Sequence, residues 1–213
     1  MLDNLSLEID ADEIVAVVGP SGCGKTTMLN IVADLEQADD GEVETNNAKI
    51  GYVFQEDRLL PWRTVRENIA LVRDQSVPSE VDRLVAMLGL SGFASYYPGA
   101  LSGGMRQRCS IARAYHFRCE LLLMDEPFKS LDHNLRFDML ASLMNVRREN
   151  KNAVLFTTHD IDEALAVASR IVVLGKRPAH VVREFSLGSS ETLRDVNAPE
   201  LVALKRNVIE LTV

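Results

Sequence analysis

A run near the start of the chain gathers the groups that bind phosphate: Gly19, Pro20, Ser21, Gly22, Cys23, Gly24, Lys25, Thr26 and Thr27. It fits the phosphate-loop pattern Gly-x-x-x-x-Gly-Lys-Ser/Thr. Glycines let successive backbone N–H groups turn inward around an anion, and a helix start adds positive potential. Lys25 can set its ammonium on β- and γ-phosphates, and the Thr26 hydroxyl can ligate Mg²⁺. The ligand implied is a nucleoside triphosphate. Further on, Asp125 and Glu126 close the apolar run Leu121-Leu122-Leu123-Met124. Asp125 offers Mg²⁺ the carboxylate that a phosphate loop lacks. Glu126 points elsewhere and can polarise an attacking water. His159, in Thr157-Thr158-His159-Asp160, follows another apolar run and can hydrogen-bond the γ-phosphate or that water. Strand ends of this kind are where open α/β sheets bind ligands. Leu101-Ser102-Gly103-Gly104-Met105 opens a helix, with Ser102 suited to the N-cap. Gly103 and Gly104 leave backbone N–H groups for an anion, a second phosphate-binding surface.

These residues need rigid elements behind them. Ile14 to Val18, Leu121 to Met124, Ala153 to Thr157 and Ile171 to Leu174 read as buried strands, and Ile50 to Phe54 as a shorter one. Leu2 to Ile9 alternates apolar and polar in its second half and reads as a half-exposed strand, with another strand signal at Glu42-Val43-Glu44. Helices are expected from Thr27, between Val65 and Leu90 with a break at Pro78, over Met105 to Phe117, Leu135 to Arg148, Ile161 to Ala168 and Pro199 to Leu211. Strands alternating with helices imply a mainly parallel sheet with helices on both faces. The mostly helical stretch 56–115 interrupts that alternation. The expectation is one domain: an α/β core over about 1–55 and 116–185, an inserted helical subdomain over about 56–115, and a short helical end over about 186–213.

Composition narrows the class. The chain has 213 residues, 46% hydrophobic and 25% charged, as in ordinary globular proteins. A net charge of −8 argues against nucleic acid as the main partner. Arg106, Arg108 and Arg113 lie on one expected helix and read as its solvated face. No apolar run is long enough to span a bilayer, and the N-terminus lacks the pattern of a secretory signal. Cys23, Cys109 and Cys119 have no metal-ligand spacing and read as reduced thiols of a cytosolic protein. Cys23, inside the anion-attracting loop, is expected to alkylate unless nucleotide covers it. His116, His133 and His180 have no setting like that of His159.

The ordered set of phosphate loop, Gln55, Leu101-Ser102-Gly103-Gly104, Met124-Asp125-Glu126-Pro127, Ser130-Leu131-Asp132 and His159 resembles the ATP-binding cassette of ABC transporters. The resemblance spans about Leu5 to Phe185. It implies a P-loop NTPase fold with an N-terminal antiparallel β region. It also implies ATP and Mg²⁺ as ligands, and a head-to-tail homodimer in which Ser102, Gly103 and Gly104 of one subunit close over ATP held by Lys25 of the other. Gln55 would contact Mg²⁺ and link the site to the helical subdomain, Glu126 would be the catalytic base, His159 the γ-phosphate switch, and Asp132 a connection between sites. The stretch Val53 to Val65 and the run Leu101 to Arg108 are similar to ATPases of the nitrate/sulfonate/taurine importer group, some of whose relatives serve thiamine precursors. That implies a separate membrane permease, a solute-binding protein, and a place on the inner face of the cell membrane. Leu59, Leu60 and Trp62 suit either a permease contact or packing within the subdomain. Two positions depart from the family pattern: Asp12 before Glu13, and Lys129 before Ser130. The adenine-stacking aromatic of the family falls ahead of the residues present. A non-transport cassette, or a non-catalytic one that dimerises on ATP, is the alternative.

Overall fold

A computed structural model describes residues 2–129 and 131–212; Ser130 lies outside them. Six strands form one sheet in the order β2-β3-β4-β1-β5-β6. They are β1 (Ile14–Val18), β2 (Ile50–Val53), β3 (Leu121–Asp125), β4 (Ala153–Thr158), β5 (Arg170–Leu174) and β6 (Val181–Ser186). All neighbours pair parallel except the edge strand β6, which runs antiparallel to β5. Strand β1 is buried at every position, as its unbroken apolar run requires in a sheet covered on both faces.

Alternate residues of these strands feed two cores. Ile14, Ala16, Val18, Leu122, Met124 and Phe156 face one side. There they meet α4 (Gly103–His116), α5 (His133–Asn150), α6 (Ile161–Val167) and α7 (Pro199–Thr212). Helices α2 (Val65–Ala70) and α3 (Pro78–Met87) join the same core through Val65, Ile69, Val81 and Val85. A capping box starts α2: Thr64 accepts from the Glu67 N–H while the Glu67 carboxylate accepts from the Thr64 N–H. The helical stretch before α4 therefore shares one hydrophobic core with the sheet.

The other face differs from expectation. Val15, Val17, Leu123, Leu155 and Val172 are covered by a single helix, α1 (Lys25–Val32), and by the chain's first residues. Leu5, Leu7 and Ile9 pack on this core while Ser6 and Glu8 stay exposed. The alternation is real, but no ladder accompanies it: the one bridge here joins Leu2 to Ala179, in parallel. Glu42, Val43 and Glu44 are exposed and form no strand either. The expected N-terminal antiparallel region is thus an extended, unladdered cover among the described residues. Period-two patterning reports which side chains are buried, and pairing needs a neighbouring backbone besides; a short acidic segment supplies a poor one. No helix among the described residues is long and apolar enough to cross a membrane.

Candidate active site

Strand register gathers the chemical groups. Val18 is level with Thr158, and Asp125 with Thr157, so the segments leaving β1, β3 and β4 emerge at the same edge of the sheet. The phosphate loop leaves β1. A Cβ on Gly19 would lie 2.9 Å from the Leu174 carbonyl oxygen, so only glycine lets this turn sit against β5. Lys25 is buried, and its ammonium donates to the loop's own carbonyls, Gly19 O at 2.8 Å and Pro20 O at 3.1 Å. Cys23 faces inward, 2% exposed among Val15, Val17 and Met28. An accessible thiol was expected here; the structure instead buries this side chain in the core.

The Thr26 hydroxyl donates to Asp125 Oδ2 at 2.8 Å, and the Thr157 hydroxyl to Oδ1 at 2.7 Å. Asp125 is therefore buried with both oxygens oriented. Sequence reasoning missed Thr157, because a threonine inside a strand reads as β-propensity alone. A hydroxyl and a carboxylate in contact form an oxygen donor set suited to Mg²⁺, which binds through one or two carboxylates plus substrate phosphates. Among the described residues no group of three or more His, Cys, Asp or Glu could hold a metal ion.

Glu126 follows with φ +42°, a left-handed conformation rare for a non-glycine residue. Its N–H is held by Thr157, with carbonyl and hydroxyl oxygens both at 3.1 Å. Oε2 lies 2.6 Å from Lys129 Nζ and 3.6 Å from His159 Nδ1. Burial pushes the Glu126 carboxyl up, but Lys129 first, then His159 and Lys25, outweigh it and hold it below the usual range. His159 is half exposed, beside a buried polar cluster that went unforeseen. In it Thr158 donates to Glu163 at 2.5 Å, and Arg136 bridges Asp160 and Glu163.

Gln55 lies exposed just beyond β2, whose Val53 is level with Met124. Helix α4 pins the segment that follows. Arg106 pairs with Asp57 at 2.8 Å, and Arg113 donates to Arg58 O at 2.9 Å and Asp57 O at 3.2 Å. These arginines are anchors between segments about fifty residues apart, where a solvated face was expected. Leu59 is buried and Trp62 is exposed, so these two neighbours divide between packing and surface.

Ser102 caps α4, accepting from Met105 N at 3.3 Å, and Asp132 caps α5, accepting from Leu135 N at 3.0 Å. Ser102, Gly103 and Asp132 are exposed. Gly104 is buried: a Cβ there would meet Leu135 Cδ2 at 2.8 Å and Leu131 Cδ2 at 3.0 Å. Among the described residues no hydrogen bond or ion pair ties Ser102 or Gly103 to the phosphate loop.

A parallel sheet that delivers a phosphate loop, a threonine-held carboxylate and a second carboxylate to one edge defines a P-loop nucleotide-binding domain. On the same chain, the start of α4 presents Ser102 and Gly103 to solvent. Comparison with known proteins completes the assignment. The ABC transporter family model matches residues 2–129, so the chain belongs to that family. It is 41% identical over 210 residues to the aliphatic sulfonates import ATP-binding protein SsuB 2 of Pseudomonas syringae pv. tomato, covering 98% of this chain and 90% of that protein. It is 40% identical over 191 residues to the SsuB protein of Bacillus anthracis, covering 85% and 76%. Among solved structures it resembles the dimeric cassette MJ0796, described as a bacterial ABC transporter cassette, with TM-score 0.78, 32% identity, and coverage of 89% and 91%. A post-hydrolysis dimer of MJ0796 bound to ADP and Pi matches with TM-score 0.76 at 31% identity, with the same coverage.

Proposed function

We propose that this chain is the ATP-hydrolysing subunit of an ABC importer that powers uptake of a small solute of the sulfonate, nitrate or taurine kind. The observation that carries it is the Thr26–Asp125–Thr157 chain, with Glu126 one residue beyond. Lys25 and the backbone N–H groups of the loop from Ser21 to Thr27 bind and orient the phosphates. Thr26 and Asp125, with Gln55, would hold Mg²⁺, which when bound neutralises charge on the β- and γ-phosphates. Glu126 accepts the proton of the attacking water at its carboxylate, and His159 donates a hydrogen bond to the γ-phosphate.

The exposed start of α4 suits the head-to-tail homodimer, with Ser102, Gly103 and Gly104 of one subunit covering ATP on the other and Asp132 joining the two sites. The stretch 56–115 acts as the helical subdomain that meets the permease, and the exposed Trp62 is its apolar contact. The subunit would then sit on the inner face of the membrane, a binding protein supplying solute from outside. The sulfonate reading draws on the names of the relatives. Size-exclusion of Glu126→Gln protein tests the core of it. A dimer that appears only with Mg-ATP is expected, with turnover cut about a hundredfold or more. A monomer at saturating ATP, or turnover at the wild-type rate, overturns it.

A further inference from the structure

Lys129 has no part in the mechanism above, yet it makes a direct ion pair with Glu126. Its ammonium lies 2.6 Å from Glu126 Oε2. The turn that carries it is well anchored. Lys129 N donates to Glu126 O at 3.2 Å, Leu131 N to Phe128 O at 3.1 Å, and Phe128 is fully buried between them. A turn anchored in this way fixes the spacing of the two backbones, so the ion pair needs no backbone rearrangement to form. The pair is also partly desolvated, since the Glu126 side chain is 12% exposed. Such pairs are stronger than those on open surface, where screening and chain entropy cancel most of the attraction.

The site's two lysines are committed differently. Lys25 rests on backbone carbonyls of the loop that binds phosphate, so a phosphate can take its ammonium without breaking an ion pair. Lys129 rests on the oxygen that would receive the proton of water. An ammonium there sets a positive charge against the oxygen that the reaction uses, with His159 Nδ1 3.6 Å from the same atom. The other end of the pair is free to leave. The Lys129 side chain is 48% exposed.

We propose that Lys129 is a positioning residue that latches the base: its ammonium holds Glu126 out of service until closure of the site draws Lys129 away, which keeps hydrolysis by the isolated cassette slow. The inference rests on the reading of Glu126 as the base. It makes basal turnover a matter of releasing one ion pair.

The test is steady-state phosphate release by the full chain with Mg-ATP, comparing wild type with Lys129→Met, Lys129→Gln and Lys129→Arg, with Glu126→Gln alongside. Methionine keeps the stem and removes the charge, and the half-exposed position tolerates it. With the latch gone, kcat rises about three- to tenfold while KM for ATP stays within about twofold, because the phosphate contacts belong to Lys25. Arginine restores the low rate. A kcat of Lys129→Met and Lys129→Gln equal to or below wild type overturns the latch, and a fall would place the ammonium on phosphate instead. If Glu126→Gln is inactive when this happens, the latch alone is lost. If Glu126→Gln turns over at the wild-type rate, the reading of Glu126 as base falls and takes the latch with it.

Discussion

The starts of α1 and α4 share one recipe and reach opposite conditions. Both place glycines at a helix N-terminus, where free N–H groups attract anions. At α1 the cap is Gly24 in a left-handed conformation, without a side-chain cap, and Lys25 turns back onto the loop's own carbonyls. At α4 the cap is Ser102 with its side-chain bond made, and Ser102 and Gly103 stand in solvent. The first is a complete cradle built from one chain. In the function proposed above, the second is half a site, finished only when nucleotide held by another subunit is brought to it. A protein with both halves on one chain, far apart in sequence, can complete a site by pairing with its own copy.

Breaking the cradle has the largest effect. Lys25→Ala removes the only ammonium that the phosphate loop itself supplies, and turnover falls about a thousandfold or more. Binding of a fluorescent ATP analogue weakens with it. Ser102→Arg breaks the other half and gives the sharper contrast. A monomer keeps its ATP affinity within about twofold, while turnover falls about a hundredfold. Mixing the two inactive proteins then distinguishes one site from two halves. Each mixed pair has one intact site, made of the Lys25 of one chain and the Ser102 of the other. Random pairing returns about a quarter of wild-type turnover if the interface is head-to-tail. No recovery in the mixture, measured by phosphate release, would place both halves on the same chain.

Much of this edge was legible because the residues that matter end long apolar runs. Leu121 to Met124 must be buried, so Asp125 and Glu126 must sit at its end, and the same logic places His159 after β4. What was not legible depends on direction or on distant partners. Position in the loop does not say that Cys23 points into the core. The alternation of Leu5, Leu7 and Ile9 marks a buried stripe equally well with or without a ladder. Arg106 and Arg113 look solvated until the segment after β2 folds onto them. Lys129 stands out in sequence by its charge, but only the fold shows that the charge is spent on Glu126.

The two glycines of α4 differ in the same way as the two helix starts. Gly104→Ala sets a Cβ 2.8 Å from Leu135 Cδ2 and 3.0 Å from Leu131 Cδ2, side-chain ends that must shift; this outweighs the gain in helix propensity, and the variant is less stable than Gly103→Ala by about 1 kcal/mol in urea unfolding. Gly103→Ala meets nothing nearer than the Arg106 guanidinium at 3.9 Å and stays within about 0.5 kcal/mol of wild type. Equal costs would mean that α4 is not seated on the start of α5.

The smallest effect sharpens the comparison with a third helix start, that of α6, which follows His159 without a glycine. Carboxylates hold it: Asp160 caps the helix, and Glu163 is buried beneath it against Thr158 and Arg136. Burial, with the charges of Asp160 and Glu126, outweighs the Thr158 hydrogen bond and Arg136 and raises the Glu163 carboxyl from 4.5 to about 7. The folded state therefore holds this proton more tightly than the unfolded chain. The stability it confers is full below about pH 4.5 and is lost as pH rises through about 7, so the slope of stability with pH is negative across that window. Glu163→Gln keeps an acceptor for Thr158 and cannot ionise. Relative to wild type, its melting temperature should rise between pH 5 and pH 8, by the equivalent of about 1–3 kcal/mol at the upper end. A difference that stays flat with pH would mean that Arg136 keeps Glu163 ionised throughout. The start of α6 would then be an ion-pair network, with His159 held beside fixed charge as rigidly as Lys25 is held by its loop.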